Sequence, residues 1–144
     1  MTRSKMVSML IVILLLAACN GTATNQPAVE VVGKQVSVDG GSYTDVSVAE
    51  LQTMLANKDF TFVNVHIPFE GNIAKTDVSI PYDQIDQNLD KLPSDKNAKI
   101  VLYCRSGRMS AISAKTLIGQ GYTNVWNLSG GMVAWEQAGL PVER

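Results

Sequence analysis

From Ser42 onward the chain alternates apolar patterns of two periods. Val48, Leu51, Met54 and Leu55 recur at helical spacing, and Ser47 with Glu50 three residues on forms a capping-box start. Phe60 to Val65 reads as a strand closed by Pro68, and Val78-Ser79-Ile80-Pro81 as a shorter one. Ile85, Leu89 and Leu92 predict a helix ending near Pro93. Lys99 to Tyr103 is a continuous apolar run, the pattern of a strand buried on both faces. Ala111, Ile112, Ala114, Leu117 and Ile118 predict the next helix, stopped by Gly119 to Gly121. Asn124 to Leu128 predicts another strand and Met132 to Ala138 a last helix. Upstream, Val36-Ser37-Val38 and Tyr43-Thr44-Asp45-Val46 flank Asp39-Gly40-Gly41 as two short strands about a turn. Strands alternating with helices predict an α/β domain with a parallel sheet covered on both faces, and about a hundred residues suffice for one core.

The first residues have a different character. Arg3 and Lys5 precede an apolar stretch from Met6 to Ala18, too short to span a bilayer comfortably and closed by Leu16-Ala17-Ala18-Cys19. This segment resembles the lipobox of bacterial lipoproteins. The resemblance implies cleavage before Cys19, lipidation of that cysteine and export to the cell envelope, with the membrane as a partner through the lipid anchor. The alternative is a plain secretory signal cut after Ala18, leaving Cys19 free. Residues 1–18 are thus expected to be a leader, 19–41 a lipidated cysteine with a tether, and 42–144 the domain. Loss of Arg3 and Lys5 leaves 10 of the 12 basic residues against 13 acidic ones, a balance that argues against nucleic acid as a partner.

Cysteine usage sharpens this picture. The chain has two cysteines, so lipidation of Cys19 leaves Cys104 as the single thiol and excludes an intrachain disulfide. Cys104 stands where the apolar strand breaks into the loop Arg105-Ser106-Gly107-Arg108-Met109-Ser110, which opens the following helix. In parallel sheets ligands bind beyond the carboxyl ends of the strands. Unpaired N–H groups at a helix start favour negative charge, as do Arg105 and Arg108 beside it. This is the setting of a working thiolate; the alternative is a buried structural cysteine at a strand end.

The order of these pieces resembles the rhodanese, or single-domain sulfurtransferase, family, over about Tyr43 to Arg144. Three stretches carry the resemblance: the loop Tyr103 to Ala111, the closing segment Leu128-Ser129-Gly130-Gly131-Met132-Val133-Ala134-Trp135 through Val142, and Phe62-Val63-Asn64-Val65-His66. The family often has an Asp-Val-Arg strand end where Asn64 and His66 stand. Its usual Gly-His-Ile appears as Gly71-Asn72-Ile73, and Met109 occupies the place five residues after the cysteine where many relatives carry arginine. The resemblance implies a mainly parallel five-stranded sheet and sulfur transfer through a Cys104 persulfide. The donor would be a small anion such as thiosulfate and the acceptor cyanide or a thiol. Arg105 and Arg108 would bind the donor anion, with Ser106, Gly107, Met109 and Ser110 completing the loop. No metal or organic cofactor is implied, and a monomer is expected.

Two other classes use similar loops. Phosphatase and arsenate-reductase chemistry needs a loop one residue longer with arginine six residues after the cysteine, and that position here is Ser110. Rhodanese-like modules also serve as docking domains, a role that requires neither the thiol nor its cations, or as redox or polysulfide sensors, in which Cys104 would be the reporting group. His66, the one histidine, reads as a hydrogen-bonded structural residue rather than a base for Cys104. Glu70 and Asp77 are acids near the expected pocket rim, and Asp83, Asp86 and Asp90 read as the solvated face of a helix.

Overall fold

The computed structural model describes residues 29–144; the expected leader, residues 1–18, and Cys19 lie outside them. The strands are β1 (Lys34–Val38), β2 (Gly41–Val46), β3 (Thr61–Asn64), β4 (Asn72–Ile73), β5 (Val78–Ser79), β6 (Ile100–Tyr103), β7 (Val125–Leu128) and β8 (Val142–Glu143). The helices are α1 (Val48–Ala56), α2 (Arg108–Gly119) and α3 (Gly131–Gln137). The main sheet runs β1-β2-β7-β6-β3-β5, and every pairing in it is parallel except the β1–β2 hairpin. It has six strands rather than the five expected. The hairpin closed by Asp39 and Gly40 returns β1 along β2 and adds an antiparallel edge.

The apolar run of β6 is buried on both faces because it lies inside the sheet between β3 and β7. Its alternate residues separate two cores. Ile100 and Leu102 join Val63, Ala114 and Leu117 on the α2 side, while Val101 and Tyr103 join Phe62, Leu51 and Trp135 on the side of α1 and α3. The next residue in phase on the α2 side is Cys104.

The capping box forms as expected: Glu50 N–H donates to Ser47 Oγ, and Ser47 N–H donates to Glu50 Oε2 at 2.8 Å. The predicted helix around Ile85 is instead two 3₁₀ stretches, Tyr82–Gln87 and Leu89–Lys91. Asn88 separates them, with a non-helical backbone and a side-chain amide that donates to the Gln84 carbonyl at 2.8 Å. Ile85 is still buried, and Asp83, Asp86 and Asp90 face solvent. A second sheet, β4 with β8, brings Asn72 opposite Glu143. Each of its strands is two residues long, too short for alternation to register in sequence.

Candidate active site

The loop after β6 folds back on its own cysteine. Gly107 has φ +95°, a left-handed conformation that starts α2 and turns its N–H toward Cys104, donating to Sγ at 3.0 Å. Ser110, buried in the first turn of α2, places Oγ 3.5 Å from Sγ and 3.2 Å from the Gly107 carbonyl. Cys104 itself is 1% exposed. Arg105, Ser106 and Arg108 face solvent, and Met109 is half-buried against the α2-side core.

A second glycine turn locks this loop from outside. Gly130 and Gly131, at φ +77° and +56°, open α3 against the start of the loop. Met132 N–H donates to the Cys104 carbonyl and Val133 N–H to the Arg105 carbonyl, both at 2.9 Å. The unpaired donors of one helix start are thereby satisfied by the backbone of the other. A Cβ on Gly131 would overlap the Cys104 carbonyl oxygen, so the contact requires glycine.

The neighbouring strand end is built from side chains. Asn64, buried at the end of β3, donates from Nδ2 to the Gly71 carbonyl and to Asn72 Oδ1, both at 2.9 Å. Its Oδ1 accepts from His66 N–H at 3.0 Å. These bonds shape the turn from His66 to Gly71, which contains a cis Ile67–Pro68 bond. Tyr103 supports the turn from below: its hydroxyl accepts from Ile73 N–H at 3.0 Å and lies 2.7 Å from Thr76 Oγ1. Burial pushes the Tyr103 phenol above its ordinary range.

The turn delivers Glu70 to the cysteine loop. Arg105 Nη1 donates to both Glu70 oxygens, at 2.8 and 2.9 Å, and His66 Nε2 lies 2.9 Å from Oε2. Partial burial raises the Glu70 carboxyl, but the Arg105 hydrogen bonds and charge, helped by His66, outweigh it and hold the group below the usual carboxylate range. His66 is thus tied to Glu70, while its Nδ1 is buried without a partner among the described residues. Asp77 has a structural role, accepting from Phe62 N–H at 2.7 Å and from Lys58 Nζ at 2.6 Å.

A cleft of about 420 Å³ opens beside Arg105, walled by Phe69, Glu70, Gly71, Met132, Glu136 and Arg144. The sulfur is outside this lining, but Met132 and Arg105 connect the cleft to the Cys104 backbone. Sequence reasoning located Cys104 and its loop and placed Glu70 at the rim. It missed the Glu70–Arg105 pair and the contribution of Glu136 and Arg144. Those two reach the cleft because α3 and the β4–β8 pairing fold the end of the chain beside Gly71.

Comparison with known proteins agrees with this architecture. Residues 47–138 match the model of the rhodanese-like domain. The chain is 34% identical over 94 residues to a sulfurtransferase of Allochromatium vinosum, covering 63% of this chain and 85% of that one. It is 31% identical over 114 residues to a tRNA uridine(34) hydroxylase of Erwinia tasmaniensis, covering 72% of this chain but only 32% of that enzyme. A rhodanese-related protein from Thermoplasma volcanium superposes with a TM-score of 0.59 at 29% identity, over 69% of this chain and 97% of that one. With a family match across most of the described residues and a thiol at the end of its central strand, the chain belongs to the rhodanese-like domain family.

Proposed function

We propose that this protein is a sulfurtransferase that carries sulfane sulfur as a persulfide on Cys104. The observation that carries the reading is the seat of the sulfur: Sγ faces the Gly107 N–H and Ser110 Oγ at the end of a buried parallel strand. The Cys104 thiolate attacks the outer sulfur of a donor such as thiosulfate. The donor S–S bond breaks, sulfite leaves with the electron pair, and Cys104 retains the transferred sulfur as a persulfide anion. The loop donors offer hydrogen bonds to that anion, and a thiol or cyanide then removes the outer sulfur. Arg105, Ser106, Arg108 and Ser110 are the polar side chains available to steer the donor. The pattern of Arg3 to Cys19 supports a lipid tether at the cell envelope, with the domain outside the cytoplasm.

The test is intact mass spectrometry of the protein from Asn20 onward after incubation with thiosulfate or polysulfide. A gain of about 32 Da that cyanide discharges and Cys104→Ser abolishes is the expected result. One observation favours a second reading, a docking or sensing module: Glu70 pairs with Arg105 and offsets the charge that an anion would meet. A folded domain that gains no sulfur from either donor would overturn the first reading and shift the balance to the second.

A further inference from the structure

The cleft beside Arg105 is unusual for one meant to receive a small dianion. Its charged walls come in matched pairs: Arg105 Nη1 with Glu70 at 2.8 Å, and Arg144 Nη2 with Glu136 at 2.6 Å. Two carboxylates and two guanidinium groups cancel, so the cleft has no net side-chain charge. The apolar wall is chiefly the Phe69 side chain, which is 62% exposed, whereas Met132 is almost fully buried. The Arg105–Glu70 pair is also braced, because His66 engages the same carboxylate from behind at 2.9 Å. Glu70 engages Nη1 alone, so a dianion can still reach the other Arg105 donors, but only beside the Glu70 carboxylate, and like charges placed together are costly. A donor with an organic body and balanced charges meets no such opposition. It can cover Phe69 and match each charge to a wall group.

We infer that Glu70, by setting its negative charge against Arg105, is a specificity-determining residue that selects a zwitterionic organic hydropersulfide over thiosulfate as sulfur donor. This rests on the sulfur-transfer reading above and names its donor class. In the step, the Cys104 thiolate attacks the terminal sulfur of R–S–SH. The donor S–S bond breaks, R–S⁻ leaves with the electron pair, and the proton stays on the new Cys104–S–SH; no external oxidant or reductant enters. Arg108 forms no ion pair among the described residues. It leaves some capacity for anions, so thiosulfate is a poor donor rather than an excluded one.

The experiment compares cysteine hydropersulfide with thiosulfate as donors, reading Cys104 persulfide by mass and kcat/KM by cyanide discharge. The full chain is used as wild type, Glu70→Gln and Glu70→Asp. Wild type is expected to prefer the hydropersulfide by about tenfold or more, and Glu70→Gln to raise the thiosulfate-to-hydropersulfide ratio by about tenfold, chiefly through the KM for thiosulfate. Glu70→Asp, which keeps the charge, retains the wild-type preference. The gap between wild type and Glu70→Gln shrinks in high salt as the carboxylate is screened. An unchanged ratio in Glu70→Gln, a change carried by kcat alone, or an Asp variant that behaves like Gln overturns the assignment while leaving sulfur transfer intact. A wild-type protein inert to both donors overturns the sulfur-transfer reading and this inference with it.

Discussion

Two helix starts in this molecule bind an acidic group, and they do so differently. At the start of α1 the Glu50 carboxylate receives Ser47 N–H and Gly33 N–H at 2.8 Å, Val32 N–H at 3.1 Å and Ser47 Oγ at 2.8 Å. At the start of α2 the Cys104 sulfur faces one N–H at 3.0 Å and one hydroxyl at 3.5 Å. The first site is saturated by the chain's own groups and staples the segment before β1 to α1. The second is sparsely served, although a glycine turn and a second helix hold its backbone rigidly. A saturated anion site is structure; one held open by rigid surroundings is left with hydrogen-bonding capacity for a reacting group.

The rigidity of the second site is the part easiest to break. Gly131→Ala places a Cβ on the Cys104 carbonyl oxygen and within 2.7 Å of the Arg105 carbonyl carbon, at a φ of +56°. The α3 start must then back away from the loop. A loss of about 2–4 kcal/mol in unfolding free energy is expected, with persulfide formation slowed about 100-fold as the sulfur's seat shifts. Denaturant unfolding and single-turnover mass spectrometry read the two effects. Gly107→Ala is milder, because its Cβ would lie 3.3 Å from Gly130 N rather than inside an atom. It must still hold φ +95°, at a cost of about 1–3 kcal/mol, and a relaxed turn would swing its N–H off the sulfur. We expect the rate to fall about tenfold. Wild-type kinetics in Gly131→Ala would show that the α3 clamp has no part in the site.

These differences track what was legible in the sequence. The cysteine loop stood out because one apolar run breaks there into a polar loop with Gly107, and the Gly130-Gly131 pair because its segment resembles the family's closing segment. The capping box at Ser47 and Glu50 was legible because its partners are three residues apart. Glu50's reach to Val32 and Gly33 was not, since it joins residues 18 and 17 positions away. The Glu70–Arg105 pair spans 35 positions and depends on the Asn64 network and a turn with no periodic pattern. Local rules carry no information about which long side chains meet across a cleft. The sixth strand follows the same logic in reverse: the hairpin was readable, but its place at the sheet edge depends on β2 pairing with β7.

The saturated site can be tested by its pH dependence. Hydrogen bonds from the Ser47 and Gly33 backbone, opposed by partial burial and aided by the Ser47 side chain and Val32 N–H, lower the Glu50 carboxyl to about 2 from an ordinary 4.5. Folding therefore favours the ionised form. Its contribution is fully present above the ordinary carboxylate range and is lost as pH falls from about 4.5 through about 2. Glu50→Gln should cost about 1 kcal/mol at neutral pH, the modest figure reflecting solvent screening at this half-buried site. Unfolding curves of variant and wild type should converge between those two pH values. A stability difference independent of pH would mean the carboxylate's charge contributes nothing to the staple.

The smallest expected effect bears most directly on the open site. Ser110 Oγ has one proton and two acceptors in reach, Cys104 Sγ and the Gly107 carbonyl. Ser110→Ala orphans neither, because Sγ keeps the Gly107 N–H and the Gly107 carbonyl keeps Ala111 N–H at 3.1 Å. Stability should therefore change by less than about 1 kcal/mol. The rate consequence depends on where the proton points as negative charge gathers on the sulfur. At 3.5 Å the contact is long, and a hydroxyl divided between two acceptors stabilises either weakly, so persulfide formation should slow about threefold. A fall beyond about thirtyfold, again by single-turnover mass spectrometry, would mean the hydroxyl closes on the sulfur during the reaction. The α2 start would then reach saturation only in the reacting state, and the contrast with Glu50 would be one of timing rather than of donor number.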